Sequence, residues 1–211
     1  MQSSHLIGIA GPSCAGKSEL ARWLSHTLKA PVFTLDSYYL KLAHLTYEER
    51  CRINFDEPAA LDHALIRAHL ADLASGKPVD KPVYDFTRHT RALNVEHVVP
   101  GEFVVVEGLF ALYWEDVRQL LRTKVYVGVR DDLCFRRRLE RDVRERGRTP
   151  ESVRQQYDTT VRPMAELHIH PTRIHADVEV SGDAPIESSG RAVLQWIINS
   201  GQAGISQFPD S

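Results

Sequence analysis

Residues 11–18 of the chain are GPSCAGKS, which matches the phosphate-binding pattern G-x-x-x-x-G-K-[ST]. In this pattern the backbone N–H groups of the loop form a concave anion site, and the two glycines permit turns that a Cβ atom would obstruct. Lys17 begins the following helix and can reach the outer phosphates of a nucleotide, and the Ser18 hydroxyl suits a Mg²⁺ ion bound to them. The stretch therefore predicts a nucleotide phosphate site.

The flanking residues supply the elements that this loop requires. Residues 6–10 (LIGIA) are typical of a short buried strand, and Leu20, Trp23 and Leu24 share one face of a predicted helix after the loop. An ordinary glycine turn before a helix is the alternative. The order of strand, loop and helix argues against it and indicates an α/β fold.

The composition is typical of a soluble globular protein. Of the 211 residues 43% are hydrophobic and 26% are charged, and the net charge is −2. This charge gives no reason to expect nucleic acid or an anionic membrane as a partner, and no apolar run approaches the ~20 residues of a membrane span. Three cysteines without paired spacing indicate a reducing compartment, and the early position of the first predicted strand leads us to expect no signal peptide. We expect one domain over residues 1–200 and a polar, frayed tail over 201–211.

Two further predicted strands end in a carboxylate. Residues 31–36 (PVFTLD) end at Asp36, and the β-branched run of residues 103–107 (FVVVE) ends at Glu107. Because ligands bind at the carboxyl ends of parallel strands, we expect both carboxylates beside the phosphate loop. Glu107 is a candidate for positioning Mg²⁺ or its water. Asp36 is a candidate base for a substrate hydroxyl, with a turn-capping role as an equal alternative.

Residues 79–99 predict a β-hairpin inserted into the α/β framework. Its strands are expected at residues 82–86 and 93–99, joined by residues 87–92. Tyr84, Phe86 and His89 are candidates for the wall of a pocket, because they combine aromatic faces with polar tips. On the residues alone, a surface hairpin whose aromatic side chains pack on the domain is favoured over a pocket.

Seven arginines lie within residues 136–148. Acidic residues are interleaved with them, which argues against a nucleic-acid patch. Arginines that converge on phosphates stabilise charge during phosphoryl transfer, and Gly147 would let this segment close as a lid. A solvated helix with ion pairs is the alternative for any single arginine. The arginines expected near one helical face are Arg137, Arg138, Arg141 and Arg144.

The remaining elements are predicted from periodicity and capping residues. Helices are expected at residues 47–51, 61–74, 109–121 and 186–198, and from Thr149 onward, where Pro150 follows the N-cap. Strands are expected at residues 124–129 and 177–180. A metal site at His168, His170 and His175 is disfavoured, because no cysteine is near and Pro171 interrupts the group.

These residues together resemble the uridine kinase (uridine/cytidine kinase) family of P-loop kinases. The resemblance extends over residues 6–182, and its motifs occur in the family's order: GPSCAGKS, LDSYY, NFDEPAALD, PVYDFTRHTR, VVVEG, RRLERDVRERGR, QQY and PTRIHADV. A phosphate loop alone fits many functions, whereas the hairpin motif together with ERGR and QY is far more specific. The resemblance implies a P-loop kinase fold: a central, mostly parallel sheet flanked by helices, with an inserted β-hairpin and an arginine-rich lid.

The resemblance also implies an activity. It is the transfer of the γ-phosphate of ATP or GTP to the 5′-hydroxyl of uridine or cytidine, with Mg²⁺, by a cytoplasmic enzyme that often forms tetramers. Asp36 would be the base, and Lys17, Arg141 and Arg146 would complete the catalytic set. Ser18, Glu107 and Asp36 would form the Mg²⁺ environment. The implied ATP-binding residues are Gly11, Ser13, Cys14, Ala15, Gly16, Lys17, Ser18 and Glu19, and the implied nucleoside contacts are Tyr39, Asp56, Tyr84, Phe86, His89, Arg138, Arg148 and Gln156.

The sequence departs from the family pattern at a few positions. Glu57 stands where the family often has histidine, which adds a negative charge beside Asp56. Pro12 and Cys14 occupy loop positions where small residues are commoner. Neither departure affects the glycines, the lysine or the serine of the loop.

Three other readings remain open. A related P-loop kinase for pantothenate, nicotinamide riboside or ribulose phosphate is the first, although the aromatic hairpin favours a base-reading pocket. A nucleotide-binding regulator without catalysis is the second, and the intact Lys17, Ser18, Asp36 and Glu107 argue against it. A nucleic-acid-binding ATPase is the third, and the acidic pI near 6.5 weakens it.

Overall fold

A five-stranded parallel sheet forms the centre of the computed structural model, which describes residues 3–201. The strands of this sheet are β1 (His5–Ala10), β2 (Val32–Thr34), β5 (Phe103–Glu107), β6 (Thr123–Gly128) and β7 (Val178–Ser181), in the spatial order β2-β5-β1-β6-β7. A separate antiparallel hairpin consists of β3 (Val79–Asp85) and β4 (Thr90–Val98).

Helices cover both faces of the sheet. They are α1 (Lys17–Leu28), α2 (Tyr47–Cys51), α3 (His63–Ala74), α4 (Glu115–Arg118), α5 (Asp131–Arg146), α6 (Pro150–Gln156), α7 (Arg162–Met164) and α8 (Ile186–Asn199). Short 3-10 turns occur at Leu35–Tyr38, Pro58–Ala60 and His170–His175, and π-helical turns at Tyr157–Val161 and Ala165–Ile169. Within residues 3–201, no helix combines the length and apolar character that a membrane crossing requires.

The alternation of side chains along β1 divides the core into two layers. Leu6 belongs to a buried cluster that includes Ile66 and Leu70 of α3. Ile7 faces the opposite side, in a cluster that includes Leu24 of α1 and Val193 of α8. Both faces of β1 are therefore buried, which explains why its sequence is an unbroken apolar run.

The structure differs from the sequence predictions in three segments. The strand predicted at residues 31–36 ends at Thr34, and Asp36 lies in the 3-10 turn that follows it. The hairpin strands are longer than predicted, because β3 begins at Val79 and β4 at Thr90. Between residues 109 and 121 only α4 is α-helical, and turns precede it. The Arg118 guanidinium donates hydrogen bonds of 3.0 and 2.6 Å to the carbonyl oxygens of Leu112 and Tyr113, so these carbonyls are satisfied outside a regular helix. The predicted tail lies outside the described residues from residue 202 onward.

Candidate active site

The strand order places three predicted site elements side by side. The phosphate loop follows β1, Asp36 follows β2, and Glu107 ends β5, which lies between these two strands. In the register of the sheet, Glu107 is opposite Ile9 on one side and Thr34 on the other. The pairing of these three strands therefore explains why Asp36 and Glu107 lie beside the phosphate loop, as predicted.

The phosphate loop has the backbone that its glycines predict. Gly11 has a φ of +146°, and a Cβ atom there would lie 2.4 Å from the carbonyl oxygen of Val127. Gly16 has a φ of +103° and caps α1. The buried Lys17 turns back over the loop, and its Nζ atom donates a hydrogen bond of 2.8 Å to the Pro12 carbonyl. Burial lowers the pKa of Lys17, and the charges of Glu107 and Asp36 oppose that shift.

Cys14 adopts a left-handed conformation in the loop, with a φ of +62°. Its carbonyl oxygen accepts a hydrogen bond of 3.4 Å from Arg137 Nη1. Arg137 Nη2 also donates a bond of 3.0 Å to the Gly182 carbonyl. The predicted loop residues Ala15 and Glu19 are buried and exposed respectively, so Glu19 faces solvent at the start of α1.

Ser18 and Glu107 present two oxygen ligands next to the phosphate loop. The Ser18 hydroxyl donates a hydrogen bond of 3.2 Å to Glu107 Oε2. A hydroxyl and a carboxylate are the ligand types that Mg²⁺ prefers, and Mg²⁺ bound to a nucleotide completes its shell with phosphate oxygens and water. Among residues 3–201 no cluster of three or more His, Cys, Asp or Glu side chains could hold a metal ion. The two ligands thus fit Mg²⁺ that arrives with a nucleotide.

Asp36 is a partly buried carboxylate with two opposing electrostatic influences. Burial and the negative charge of Glu107 raise its pKa from 3.8 to about 6. The positive charges of Lys17 and Arg146 act in the opposite direction. The carboxylate is therefore more basic than an exposed aspartate, and this favours a role as proton acceptor near neutral pH.

Arg91, to which the sequence analysis assigned no role, anchors the turn that carries Asp36. From β4 its Nε atom donates a hydrogen bond of 2.8 Å to the Tyr39 carbonyl, and Nη2 donates one of 3.0 Å to the Tyr38 carbonyl. Nη2 also lies 3.1 Å from Asp62 Oδ2. The Asp62 carboxylate caps α3 through the Leu65 N–H. Arg91 thus joins the hairpin to the residues immediately after Asp36.

The predicted aromatic residues come together, with one addition. The ring centroid of Tyr39 lies 5.2 Å from those of both Tyr84 and Phe55, and Tyr84 lies 5.1 Å from Phe86. Phe55 stacks on His89 at 5.3 Å with the rings 16° apart. Phe55 is the residue that sequence reasoning missed, and its position beside Asp56 was the available signal.

The hairpin residues differ in exposure and in charge state. Tyr84 is buried, whereas 52% of Phe86 is exposed. His89 has a φ of +50° at the hairpin turn. Burial and the nearby charge of Arg148 lower the pKa of His89, so its ring is neutral at pH 7 and offers one donor and one acceptor.

Asp56 faces the arginine-rich segment. Burial raises the pKa of its carboxyl group, and the charges of Arg138 and Arg146 oppose that shift. Its backbone N–H donates a hydrogen bond of 3.1 Å to the Asn54 side chain. The Glu57 carboxylate, which stands where the family often has histidine, accepts a hydrogen bond of 2.7 Å from Asn54 Nδ2. This negative charge beside Asp56 therefore has a hydrogen-bond partner nearby in the chain.

The predicted nucleoside contacts on α5 and α6 bind one another. The buried Arg138 donates hydrogen bonds of 3.1 Å to Ser13 Oγ and 3.3 Å to Gln156 Oε1. Arg148 also donates to Gln156 Oε1. Arg144, expected on the same face as Arg138, is exposed instead and pairs with its neighbour Glu145.

One cavity connects the phosphate loop with Asp56. The rest of the cavity is lined by residues to which no role was assigned from the sequence, including Leu109, Tyr157, Val161 and Ile169. Three of these four residues, Tyr157, Val161 and Ile169, belong to π-helical turns, which often occur at functional sites. Two of the three C-terminal histidines contact aromatic residues: Tyr126 and His170 form a hydrogen bond of 3.0 Å, and His168 packs edge-on against Tyr113.

Comparison with known proteins shows the family to which the chain is similar. Residues 6–183 match the family model described as "Phosphoribulokinase / Uridine kinase family". A uridine kinase of Deinococcus deserti is 46% identical over 82% of this chain and 85% of its own length. A uridine kinase of Klebsiella pneumoniae subsp. pneumoniae is 41% identical over 96% of this chain and 95% of its own length.

The fold is shared with more distant proteins. The solved structure of a phosphoribulokinase from Rhodobacter spheroides superposes with a TM-score of 0.65 over 85% of this chain and 70% of that protein, at 13% identity. The predicted P-loop kinase fold is thereby confirmed. The family match and the two relatives establish more than the fold: this chain belongs to the phosphoribulokinase / uridine kinase family.

Proposed function

We propose that this protein is a nucleoside kinase that transfers the γ-phosphate of ATP or GTP to the 5′-hydroxyl of uridine or cytidine. The observation that carries the proposal is the position of Glu107 between the phosphate loop and Asp36, with the aromatic hairpin joined to the Asp36 turn through Arg91. The uridine kinases among the relatives support the choice of nucleoside.

The reaction needs positioning and charge stabilisation more than covalent chemistry by the enzyme. The 5′-oxygen of the nucleoside attacks the γ-phosphorus, the bond between this phosphorus and the β–γ bridging oxygen breaks, and the hydroxyl proton passes to Asp36. The raised pKa of Asp36 suits this transfer. Lys17, the loop N–H groups, Arg141 and Arg146 stabilise the phosphate charge. Ser18 and Glu107 would hold Mg²⁺, which neutralises part of the phosphate charge when it is bound.

Nucleoside recognition is assigned to the opposite side of the site. Asp56 would hold the ribose hydroxyls, and Tyr84 and His89 would read the edge of the base. Tyr39 and Phe86 would pack on its ring, with Phe55 as a further aromatic neighbour. Arg138 and Arg148 both donate hydrogen bonds to Gln156, so a bound nucleoside would replace some of these bonds.

Two broader proposals concern the state of the protein. We propose a homo-oligomer, because Leu93 is 98% exposed and Val95 is 56% exposed on β4 of the hairpin. Sedimentation of the purified protein tests this proposal.

We also propose a cytoplasmic location, which is consistent with three cysteines (Cys14, Cys51 and Cys134) that form no disulfide bond.

The decisive experiment is a coupled assay of ADP release with ATP and Mg²⁺. Uridine, cytidine, adenosine, pantothenate and nicotinamide riboside are offered separately, and Asp36→Asn, which should lose most of its turnover, is the control. We expect ADP release with uridine or cytidine, and the ratio of the two rates gives the preference between these nucleosides. Release with pantothenate or nicotinamide riboside alone would move the protein to a related small-molecule kinase. Tight ATP binding without turnover on any substrate would make it a nucleotide-binding regulator.

A further inference from the structure

Asp142 in α5 is fully buried, and four guanidinium groups surround its carboxylate. Arg141 Nε and Nη2 each lie 2.9 Å from Oδ1, and Arg146 Nη1 lies 3.4 Å from the same oxygen. Arg138 Nε and Arg148 Nη1 lie 3.6 and 3.8 Å from Oδ2. No role was assigned to Asp142 from the sequence, yet it contacts every arginine that was assigned one.

The helical spacing of the sequence explains this arrangement. Arg138 and Arg146 are each four residues from Asp142, so they lie one turn before and one turn after it on the same face. Arg148 lies beyond the end of α5, where the chain turns at Gly147. Its backbone N–H donates a hydrogen bond of 3.1 Å to the Asp142 carbonyl. Asp142 therefore holds the end of the arginine-rich segment through its backbone and its side chain.

From Asp142 the arginines extend towards different parts of the site. Arg138 reaches the phosphate loop at Ser13 Oγ, at 3.1 Å. The charge of Arg146 acts on Asp36, and the charge of Arg148 acts on His89. A single carboxylate thus sets the positions of groups at the phosphate loop, at the catalytic carboxylate and at the hairpin.

The charges in this cluster are unequal. Four guanidinium groups outnumber one carboxylate, and positive groups this close repel each other unless a buried anion holds them. The excess positive charge is complementary to a polyphosphate. In addition, Asp142 Oδ2 and Arg138 Nε both lack a hydrogen bond among residues 3–201. Shortening their separation of 3.6 Å by about 0.7 Å would create one, so the cluster can tighten when phosphates bind.

We propose that Asp142 is the positioning residue of the arginine lid, and that its carboxylate holds the four guanidinium groups as one unit, with Arg141 and Arg146 towards the donor phosphates and Arg138 and Arg148 towards the nucleoside. This inference rests on the proposed kinase function. Asp142 itself contacts no reacting atom and acts through the arginines. Its removal therefore affects the arrangement of the lid more than the attraction of the site for a nucleotide.

The test compares three variants of the full chain. Asp142→Asn removes the charge with little change of shape, and Asp142→Glu keeps the charge but shifts it by one methylene. Glu145→Gln is the matched control, because it removes a carboxylate from the same helix whose one ion pair among residues 3–201 is with the exposed Arg144. The measurements are kcat with saturating uridine and MgATP, the Kd for ATP, the thermal midpoint, and protection of the arginine-rich segment by ATP against trypsin.

For Asp142→Asn we expect kcat to fall by about tenfold to a hundredfold, because misplaced charges stabilise the transition state poorly. We expect the Kd for ATP to change by less than about threefold, because the net positive charge of the site is not reduced. ATP should no longer protect the segment against trypsin. Asp142→Glu should recover part of kcat and of the protection, and Glu145→Gln should behave as the wild type.

Two results would overturn the proposal. One is a wild-type kcat in folded Asp142→Asn, and the other is a loss of kcat that follows the loss of ATP binding in proportion. If Asp142→Asn does not fold, Asp142→Glu decides the question, since it retains the buried charge. A wild-type kcat and wild-type protection in Asp142→Glu would show that the position of the carboxylate does not matter, which contradicts the proposal. Protection against trypsin requires no nucleoside. If the wild-type protein is inactive on uridine and cytidine but is protected by ATP, the proposed substrate is wrong. The trypsin measurement then still tests the role of Asp142 in the lid.

Discussion

Arg91 extends from the hairpin to Tyr39, whose backbone carbonyl accepts a hydrogen bond of 2.8 Å from the Arg91 Nε atom. The same guanidinium binds the Tyr38 carbonyl and Asp62. We expect Arg91→Lys to lower kcat by about tenfold, because an ammonium group cannot reproduce three bonds of planar geometry and the Asp36 turn would shift. The Kd for ATP should stay unchanged, as measured by calorimetry. Arg88→Lys, in the exposed part of the same hairpin, is the control, and an equal loss of kcat there would disprove the anchoring role.

The pH dependence of turnover should report the ionisation of Asp36. Burial and Glu107 raise its pKa to about 6, and only the deprotonated form accepts the substrate proton. We therefore expect kcat/KM for the nucleoside to rise with pH through about 6. This rise should be absent in the residual activity of Asp36→Asn. A flat profile between pH 5 and 7 in the wild type would remove Asp36 from the role of base.

The same shift predicts a change in stability. Since the folded-state pKa lies above the ordinary value of 3.8, the folded protein binds more protons than the unfolded chain between these two values. The contribution of Asp36 to stability is therefore present at low pH and is lost as the pH rises through about 6. We expect Asp36→Asn to have a higher thermal midpoint than the wild type at pH 8. A lower midpoint would mean that the carboxylate is held by contacts that favour its charge.

Base selection should depend on His89. Its neutral ring presents a donor and an acceptor, and its φ of +50° restricts the choice of substitution to residues that tolerate this conformation. We expect His89→Asn to change the ratio of kcat/KM for uridine and cytidine by about tenfold, with KM for ATP unchanged. His97→Asn is a matched control on the same hairpin, where His97 is exposed and pairs with Asp80. An unchanged ratio in the His89 variant would count against this role.

Glu107 should govern both the metal requirement and the basicity of Asp36. Glu107→Gln keeps an acceptor for the Ser18 hydroxyl but removes the negative charge. We expect the Mg²⁺ concentration for half-maximal activity to rise by about tenfold, because a neutral amide is a poor ligand for this ion. The ascending limb of the pH profile should move to lower pH, since Glu107 raises the pKa of Asp36. Glu102→Gln, at an exposed position before the same strand, should leave both quantities unchanged.

Local sequence patterns predicted the parts of the site that follow strands. Apolar runs located β1 and β5, and the residues after them were correctly placed at one edge of the sheet. Periodicity was misleading at residues 109–121, where the apolar spacing is helical but Arg118 binds the carbonyls of Leu112 and Tyr113. A side-chain contact of this kind leaves no trace in a hydrophobic pattern.

Residues that act through distant partners could not be predicted from local patterns. Arg91 lies 52 positions from Tyr39 in the chain, and its bond forms only when the hairpin folds back on the sheet. Phe55 belongs to no regular element, and its stacking on His89 depends on the same hairpin. Asp142 is different, because its spacing of four residues from both Arg138 and Arg146 is visible in the sequence. What could not be seen there is its complete burial, which makes an unpaired carboxylate costly at this position and so requires the arginines around it.

The strand order also has a consequence for the biosynthesis of the protein. The phosphate loop, residues 11–18, is made before the residues that lie behind it: Val127 lies against Gly11, and a Cβ atom at Gly182 would be 2.2 Å from the Ala15 carbonyl oxygen. A nascent chain that ends before residue 182 therefore has an incomplete loop. Bound nucleotide stabilises only the folded state. ATP is therefore expected to stabilise the newly made chain only after residue 182 has left the ribosome.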